Sequence, residues 1–191
     1  PPTEMPAGDF SVAKGATTEI GLGALVFNVA EELKDAPVAA IVVTGGASGG
    51  ETLRILPHGN DYYLFKPKAL VPGTYDVSFL YSRCETPARI ASGLEIAAGR
   101  ETVVTLDSGL VVARPQETRV RGWDLVPTGG GEPALSIRRG FDNEEPLWRP
   151  FPAPPGTYDL ILKVNDMDED LPVGEDLEIR PGQTIRFDTG L

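Results

Sequence analysis

The stretch PGTYD occupies residues 72–76 and occurs again at residues 155–159, 83 residues further along the chain. Proline presets the backbone for a turn, and glycine accepts the positive φ that a type II turn requires at its next position. The following strand then enters the sheet, with the tyrosine ring in the core and its hydroxyl within reach of backbone at the sheet edge. The motif therefore predicts a turn that leads into a core strand. A ligand contact by Tyr75 or Tyr158 is the alternative.

Five further blocks repeat around this motif in the same order, with offsets between 81 and 84 residues. They pair TGG (44–46) with TGG (128–130), LRI (53–55) with LSI (135–137), LFKP (64–67) with LWRP (147–150), LEI (94–96) with LEI (177–179), and DSGL (107–110) with DTGL (188–191). Matched blocks in one order indicate a tandem duplication. We assign residues 24–107 to the first unit and 108–191 to the second. Residues 1–23 are expected to be the tail of a preceding repeat or an N-terminal cap.

Apolar and polar side chains alternate after the PGTYD motif, which is typical of strands with one buried face. The 191 residues include 22 Gly and 18 Pro, which favours many turns and short elements. Only residues 29–35 have helical character, and Pro37 limits that segment to about two turns. The sequence predicts an all-β protein with two tandem antiparallel seven-stranded β-sandwich domains.

The charge balance argues against some classes of partner. The chain carries 28 acidic and 17 basic side chains, a net charge of -11. Because nucleic acids are bound through clustered Lys and Arg, we expect no nucleic-acid partner. No apolar run approaches the roughly 18 residues of a membrane span, so we expect no membrane insertion. The start at Pro1, without an initiator Met, predicts an excised fragment or a processed protein.

The motif and its surroundings resemble a known group of domains. A PGTYD turn and strand, a variable hairpin, and then LEI three residues before Gly99 or Gly182 are similar to the carboxypeptidase-regulatory-like, prealbumin-like (transthyretin-like) superfamily. The resemblance covers residues 24–107 and 108–191. It implies seven-stranded β-sandwich modules that occur in tandem on bacterial surface, periplasmic and secreted proteins. Such modules serve as spacers, adhesion elements, carbohydrate-contacting accessories or domains beside an enzyme, so the fold implies no single activity.

Catalytic chemistry finds little support in the residues. His58 is the sole histidine and Cys84 the sole cysteine, so a disulfide framework is excluded. A nucleophile needs a base and a third group that orients it, and nothing in the spacing of His58 and Cys84 favours their contact. We expect no enzymatic activity, no catalytic residues and no cofactor.

The best candidate for a metal site is the acidic run at Asp166, Asp168 and Asp170. Alternate carboxylates on an extended loop can converge on Ca²⁺, which takes six to eight oxygen ligands. Leu171 stands where a helix–loop–helix calcium loop has its glycine, so the run does not match that motif. A solvated acidic hairpin is the alternative interpretation.

Trp123 is the candidate for a ligand-contacting aromatic residue. It lies between Gly122 and Asp124 and has no aromatic counterpart in the first unit. Trp148, by contrast, replaces Phe65 in the duplication and is expected to pack. An exposed Trp123 ring could contact a carbohydrate.

These observations predict a non-catalytic structural or interaction module of an exported bacterial protein, acting as a rigid spacer or adhesion-type pair of sandwiches. The short junction at 107–110 favours a rigid arrangement. Expected partners are a protein or a polysaccharide at the cell envelope, and the expected location is extracellular, at the cell surface or in the periplasm. The alternatives are an accessory domain with weak Ca²⁺ or carbohydrate binding, and an accessory domain that accompanies an enzyme elsewhere in the parent chain.

Overall fold

The computed structural model describes residues 21–46, 51–57, 64–82, 84, 86–116, 118–139, 144–165 and 170–191. Within these ranges the chain forms fourteen strands and no α-helix. The strands of the first unit are β1 (Gly23–Val29), β2 (Val38–Gly45), β3 (Glu51–Ile55), β4 (Lys68–Leu70), β5 (Gly73–Tyr81), β6 (Ala88–Ile96) and β7 (Glu101–Leu106). Those of the second are β8 (Gly109–Val112), β9 (Val120–Pro127), β10 (Leu135–Arg138), β11 (Phe151–Pro152), β12 (Gly156–Val164), β13 (Leu171–Ile179) and β14 (Thr184–Phe187). Two short 3-10 helices are η1 (Glu31–Leu33) and η2 (Glu145–Trp148).

Each unit contains one three-stranded and one four-stranded sheet. The strand orders are β4-β1-β7 and β3-β2-β5-β6 in the first unit, and β11-β8-β14 and β10-β9-β12-β13 in the second. The second set of orders equals the first with seven added to every strand number. Among the residues that the structure describes, no sheet combines strands of both units. The predicted all-β fold with two seven-stranded sandwich units is therefore confirmed.

The sequence predicts purely antiparallel sheets, but the three-stranded sheets are mixed. β1 pairs with β7 in parallel, and β8 pairs with β14 in parallel. The first and last strands of a unit run side by side in the same direction, so the chain enters a unit at one end and leaves it at the other. This direction, which strand alternation does not encode, places the second unit beyond the end of the first.

The segment at 29–35 contains one 3-10 turn and not the predicted two turns of helix. Val29 belongs to β1, and the turn is held by hydrogen bonds from the Leu33 N–H to the Ala30 carbonyl and from the Lys34 N–H to the Glu31 carbonyl. These bonds join residues three apart, which is the 3-10 pattern.

The tyrosine of each PGTYD motif is buried and closes the turn before it. The Tyr75 hydroxyl donates to the Val71 carbonyl at 2.9 Å, and the Tyr158 hydroxyl donates to the Pro154 carbonyl at 2.8 Å. Both acceptors lie four residues before the tyrosine. The prediction of a turn that leads into a core strand is confirmed, and the buried rings leave no face for a ligand.

The aspartate of each motif accepts a backbone hydrogen bond from the neighbouring strand, at the point where the register of that strand shifts. The Asp76 carboxylate accepts the Gly93 N–H at 2.9 Å, and the Asp159 carboxylate accepts the Asp176 N–H at 3.1 Å. Gly93 and Asp176 adopt positive φ of 66° and 52°, where the register of β6 and β13 shifts. Glycine takes this conformation readily, whereas an L-residue such as Asp176 is strained there.

We expect Asp176→Gly to raise the free energy of unfolding by about 0.5–1 kcal/mol, because relief of the left-handed strain exceeds the extra entropy of glycine in the unfolded chain. The measurement is urea denaturation followed by tryptophan fluorescence. Asp176→Asn is the matched control, since it removes the charge but keeps a side chain at positive φ. Equal stabilisation by both substitutions would attribute the gain to charge and contradict the strain explanation.

Candidate functional site

The two units meet through three aromatic rings. Tyr81, the last residue of β5, contacts Phe151 of β11 with ring centroids 5.1 Å apart and planes at 75°. Phe151 in turn contacts Trp123 of β9 at 5.1 Å and 88°. The Tyr81 hydroxyl donates to the Pro152 carbonyl at 3.2 Å. Edge-to-face pairs of this kind stabilise beyond the area they bury, and these rings connect the core of one sandwich to the core of the other.

The short linker between the units, residues 107–110, contacts both of them. Ser108 and Ala153 exchange hydrogen bonds, through the Ser108 hydroxyl at 3.2 Å and the Ala153 N–H at 3.1 Å. Gly109 packs so closely against η1 that an added Cβ atom would lie 2.8 Å from Leu33 Cδ2. Leu33 itself is fully buried. The backbone of the second unit therefore begins in direct contact with the first.

Cys84 makes a further contact between the two units, at an edge strand of the second unit. It follows β5, and its Sγ lies 2.6 Å from the Ser136 carbonyl on β10. Burial raises the pKa of the Cys84 thiol, so it remains a neutral donor and a poor nucleophile. His58, which could form a catalytic pair only by contacting Cys84, lies outside the described residues.

A buried carboxylate lies next to this contact. Asp124 is only 6% exposed. Its Oδ1 accepts hydrogen bonds from Arg138 at 2.7 Å and Ser136 at 2.8 Å, and its Oδ2 lies 3.0 Å from the Lys163 ammonium. Burial opposes ionisation, but the hydrogen bonds from Arg138, Ser136 and Lys163 outweigh it and lower the pKa of Asp124 below its ordinary value.

Lys163 connects this carboxylate to a second one. Burial opposes the charged ammonium, but hydrogen bonds to Asp170 and Asp124 raise the pKa of Lys163. The Asp124 cluster comprises Asp124, Ser136, Arg138, Lys163 and Asp170, and its polar groups are paired with one another. The pKa shifts of Asp124 and Lys163 both favour the charged forms. Such a cluster fixes side chains in place, whereas a general acid or base requires a group poised to change its protonation state.

The predicted calcium site is described only in part. Asp170 forms an ion pair with Lys163, while Asp166 and Asp168 lie outside the described residues. No group of three or more His, Cys, Asp or Glu side chains suited to a metal occurs within the ranges that the structure describes. The calcium site stays a prediction.

The prediction of Trp123 as an exposed, ligand-contacting residue is wrong. Trp123 is 0% exposed, and its Nε1 donates to the Leu147 carbonyl at 3.0 Å. The strand register explains the error: Trp123 lies opposite Leu162 as Ile41 lies opposite Phe79 in the first unit. Trp123 thus occupies a core position whose counterpart is an isoleucine.

The first unit contains a cleft of about 560 Å³ that the sequence did not predict. Its lining comes from the end of β1, the segment after η1 and the turn before β4: Phe27, Asn28, Val29, Lys34, Asp35, Phe65, Lys66 and Pro67. Ligand pockets in proteins have volumes of roughly 300–1,000 Å³, so the cleft is of ligand size. The only sequence signal was Phe65-Lys66 in the LFKP block, which gives no hint of the two other segments.

No family model matches the chain, and no curated protein matches it. Among solved structures, the Bacillus anthracis TIE protein is similar, with 14% sequence identity and a TM-score of 0.30. The alignment covers 88% of this chain and 33% of that one, so the chain spans a third of the length of the protein it matches. Within the described ranges no helix is long and apolar enough to span a bilayer.

Proposed function

We propose that this protein is a non-catalytic interaction module in which two β-sandwiches form one rigid body. Its role is to hold a partner surface or a neighbouring domain at a fixed distance and orientation. The observation that supports this proposal is the junction, where Tyr81, Phe151 and Trp123 connect the two cores.

The junction has the properties that oppose domain motion. Domains in one chain generally move relative to each other unless their interface is large and hydrophobic. Here the buried apolar side chains form one continuous cluster that includes strands of both units. The Tyr81 hydroxyl and the Cys84 thiol are satisfied by carbonyls of the second unit, so pivoting would leave buried polar groups unpaired.

The setting of this module is part of the same proposal. The resemblance to prealbumin-like repeats supports an exported bacterial protein, with its location at the cell surface, in the periplasm or in the medium. The net charge of -11 favours solubility and a protein or polysaccharide partner over a polyanion.

Residual dipolar couplings test the rigid arrangement. We expect the two units of the wild-type protein to share one alignment tensor, and Tyr81→Ala to give the units separate tensors because the aromatic contact with Phe151 is lost. Val164→Ala is the matched control, because Val164 ends β12 as Tyr81 ends β5 and is also buried, but it is not one of the three rings that connect the units. Two independent tensors in the wild-type protein would overturn the proposed function.

A further inference from the structure

The central strand of the three-stranded sheet in the first unit has unequal neighbours on its two sides. β1 pairs with β7 from Ala24 to Val29. On its other side, β4 pairs only with residues 23–25. Within the part of the chain that the structure describes, residues 26–29 of β1 therefore have no strand beside them on the side of β4.

The direction of the backbone groups at this unpaired edge follows from the alternation of a β-strand, in which successive residues point their N–H and C=O groups to opposite neighbours. The Ala30 N–H donates to the Leu106 carbonyl of β7 at 2.9 Å, so the even-numbered residues along β1 face β7. The odd-numbered residues face the side of β4. Phe27 and Val29 consequently point their N–H and C=O groups to the side where β4 has ended, roughly 7 Å apart along the strand.

The cleft of the first unit lies along this unpaired edge. Its lining comprises residues 27–29 of β1 together with residues 34–35 and 65–67. The rings of Phe27 and Phe65 meet at 6.0 Å, and both approach Phe79 of the core. Because packing holds these walls in place, the cleft is formed before any ligand arrives, which lowers the entropy cost of binding.

The spacing of the backbone groups distinguishes between classes of ligand. An extended peptide offers one N–H and one C=O from every second residue along each edge, which matches the groups of Phe27 and Val29. A sugar that binds by stacking requires an open aromatic face, and the Phe27 ring is buried. An added peptide strand would lie in line with β4 and would give β1 a neighbour along both sides.

We propose that an extended segment of a partner protein adds to this sheet beside residues 27–29 of β1. The main-chain groups of Phe27 and Val29 supply the recognition, so no side chain enters the core and no charge at the cleft is required. The proposal rests on the interaction role proposed above and names the class of partner. It does not depend on the rigidity of the junction, so the two can fail separately.

A suitable probe is an acetylated and amidated heptapeptide in which threonine and valine alternate, with an N-methyl group on every second residue. These methyl groups leave one hydrogen-bonding edge and prevent the peptide from pairing with itself. Titrated into ¹⁵N-labelled full-length protein, the peptide should shift the NMR signals of residues 27–29, 34–35 and 65–66 in a saturable way and slow hydrogen exchange at Phe27 and Val29. The affinity should change less than about twofold between about 50 and 500 mM salt, because no ion pair contributes.

A second peptide tests whether the main chain supplies the recognition. It has the same side chains but carries an N-methyl group on every residue, so it has no N–H to donate. We expect it to bind at least about tenfold more weakly, the change that about 1.4 kcal/mol gives. Equal affinity of the two peptides would attribute binding to the side chains and overturn the proposal.

Val29→Pro removes one N–H donor from the protein. Because the Val29 N–H faces away from β7, proline at this position removes no hydrogen bond of the β1–β7 ladder. Val112→Pro is the matched control, since Val112 and Phe187 form the last pair of the β8–β14 ladder as Val29 and Leu106 do in the first unit. We expect Val29→Pro to weaken the peptide about tenfold and Val112→Pro to leave its affinity unchanged. Equal effects of the two variants would overturn the proposal, and if Val29→Pro does not fold, the two peptides decide the question in the wild-type protein.

A titration with cellohexaose separates a peptide ligand from a saccharide. This neutral saccharide has no repeating N–H and C=O edge, so we expect no saturable shifts at the cleft. Saturable binding of cellohexaose without binding of the singly edged peptide would overturn the proposal. Failure of both ligands, in a protein whose units still share one alignment tensor, would also overturn it while leaving the rigid module intact.

Discussion

Phe151→Ala is expected to lower the free energy of unfolding by about 3–5 kcal/mol, the usual cost of removing a fully buried phenylalanine. Phe151 touches Tyr81 on one side and Trp123 on the other, so its loss leaves a cavity between two sandwiches. A cavity there also removes most of the coupling between the units. We therefore expect the cooperative unfolding of the wild-type protein to separate into two transitions.

Calorimetry and urea denaturation measure both parts of this prediction. Leu160→Ala is the control, because Leu160 is also 0% exposed but lies on β12, outside the aromatic contact between the units. It should destabilise the second unit by a similar amount without altering orientation, as judged by residual dipolar couplings. A loss below about 1 kcal/mol for Phe151→Ala, well under the range for buried aromatic residues, would show that the junction contributes little.

The repeated motif predicted much of the fold because its residues act locally. In PGTYD, the tyrosine bonds to a carbonyl four residues earlier, and the aspartate supports the next strand of the same sheet. Such interactions depend on short stretches of chain, so the sequence pattern contains them. The direction of β7 beside β1 depends instead on how the chain crosses between sheets, and alternation of side chains carries no information about it.

The site was harder to predict because its parts are distant in sequence. Trp123 lies between Gly122 and Asp124 and has no aromatic counterpart in the first unit, which is why the sequence predicts it to be exposed. Asp124 is itself buried, with Arg138 and Lys163 from β10 and β12 around it. The carboxylate therefore marked an internal ion pair and not solvent. The cleft at Phe27 and Phe65 likewise forms only when three separated segments meet.

The two units differ at the positions that surround Asp124. Strand register places Val42 of β2 where Asp124 stands in β9, and Leu80 of β5 where Lys163 stands in β12. Leu56, just after β3, corresponds to Arg138. Three charged residues of the second unit thus correspond to apolar residues in the first, whereas Ser136 corresponds to Arg54. The charged residues lie where Cys84 reaches Ser136 across the junction. The charges are therefore associated with the contact between units.

Removing the buried carboxylate alone is expected to be costly. Asp124→Asn should destabilise the protein by about 2–3 kcal/mol at pH 7, less than the largest values for buried pairs because Arg138 and Lys163 retain some access to water. The native pKa of Asp124 is lowered, so its stabilisation is complete above the unfolded pKa near 4 and declines as the pH falls through the native pKa. The stability difference between wild type and Asp124→Asn should therefore be constant from about pH 5 to 7 and shrink at lower pH.

Changing Asp124, Arg138 and Lys163 together tests whether these three charges act as a unit. The triple variant Asp124→Val, Arg138→Leu and Lys163→Leu gives the second unit the apolar residues that the first unit has at these three positions. Because a buried ion pair rarely exceeds well-packed apolar groups in stability, we expect this variant to recover most of the loss and to show no pH-dependent term from Asp124. Urea denaturation across pH 2.5–7 measures both effects. If Asp124→Asn were neutral at pH 7, or the triple variant were less stable than the single one, the cluster would not stabilise the fold as a unit. A triple variant that is stable but has lost the common alignment of the two units would instead assign the charges to the orientation of the junction.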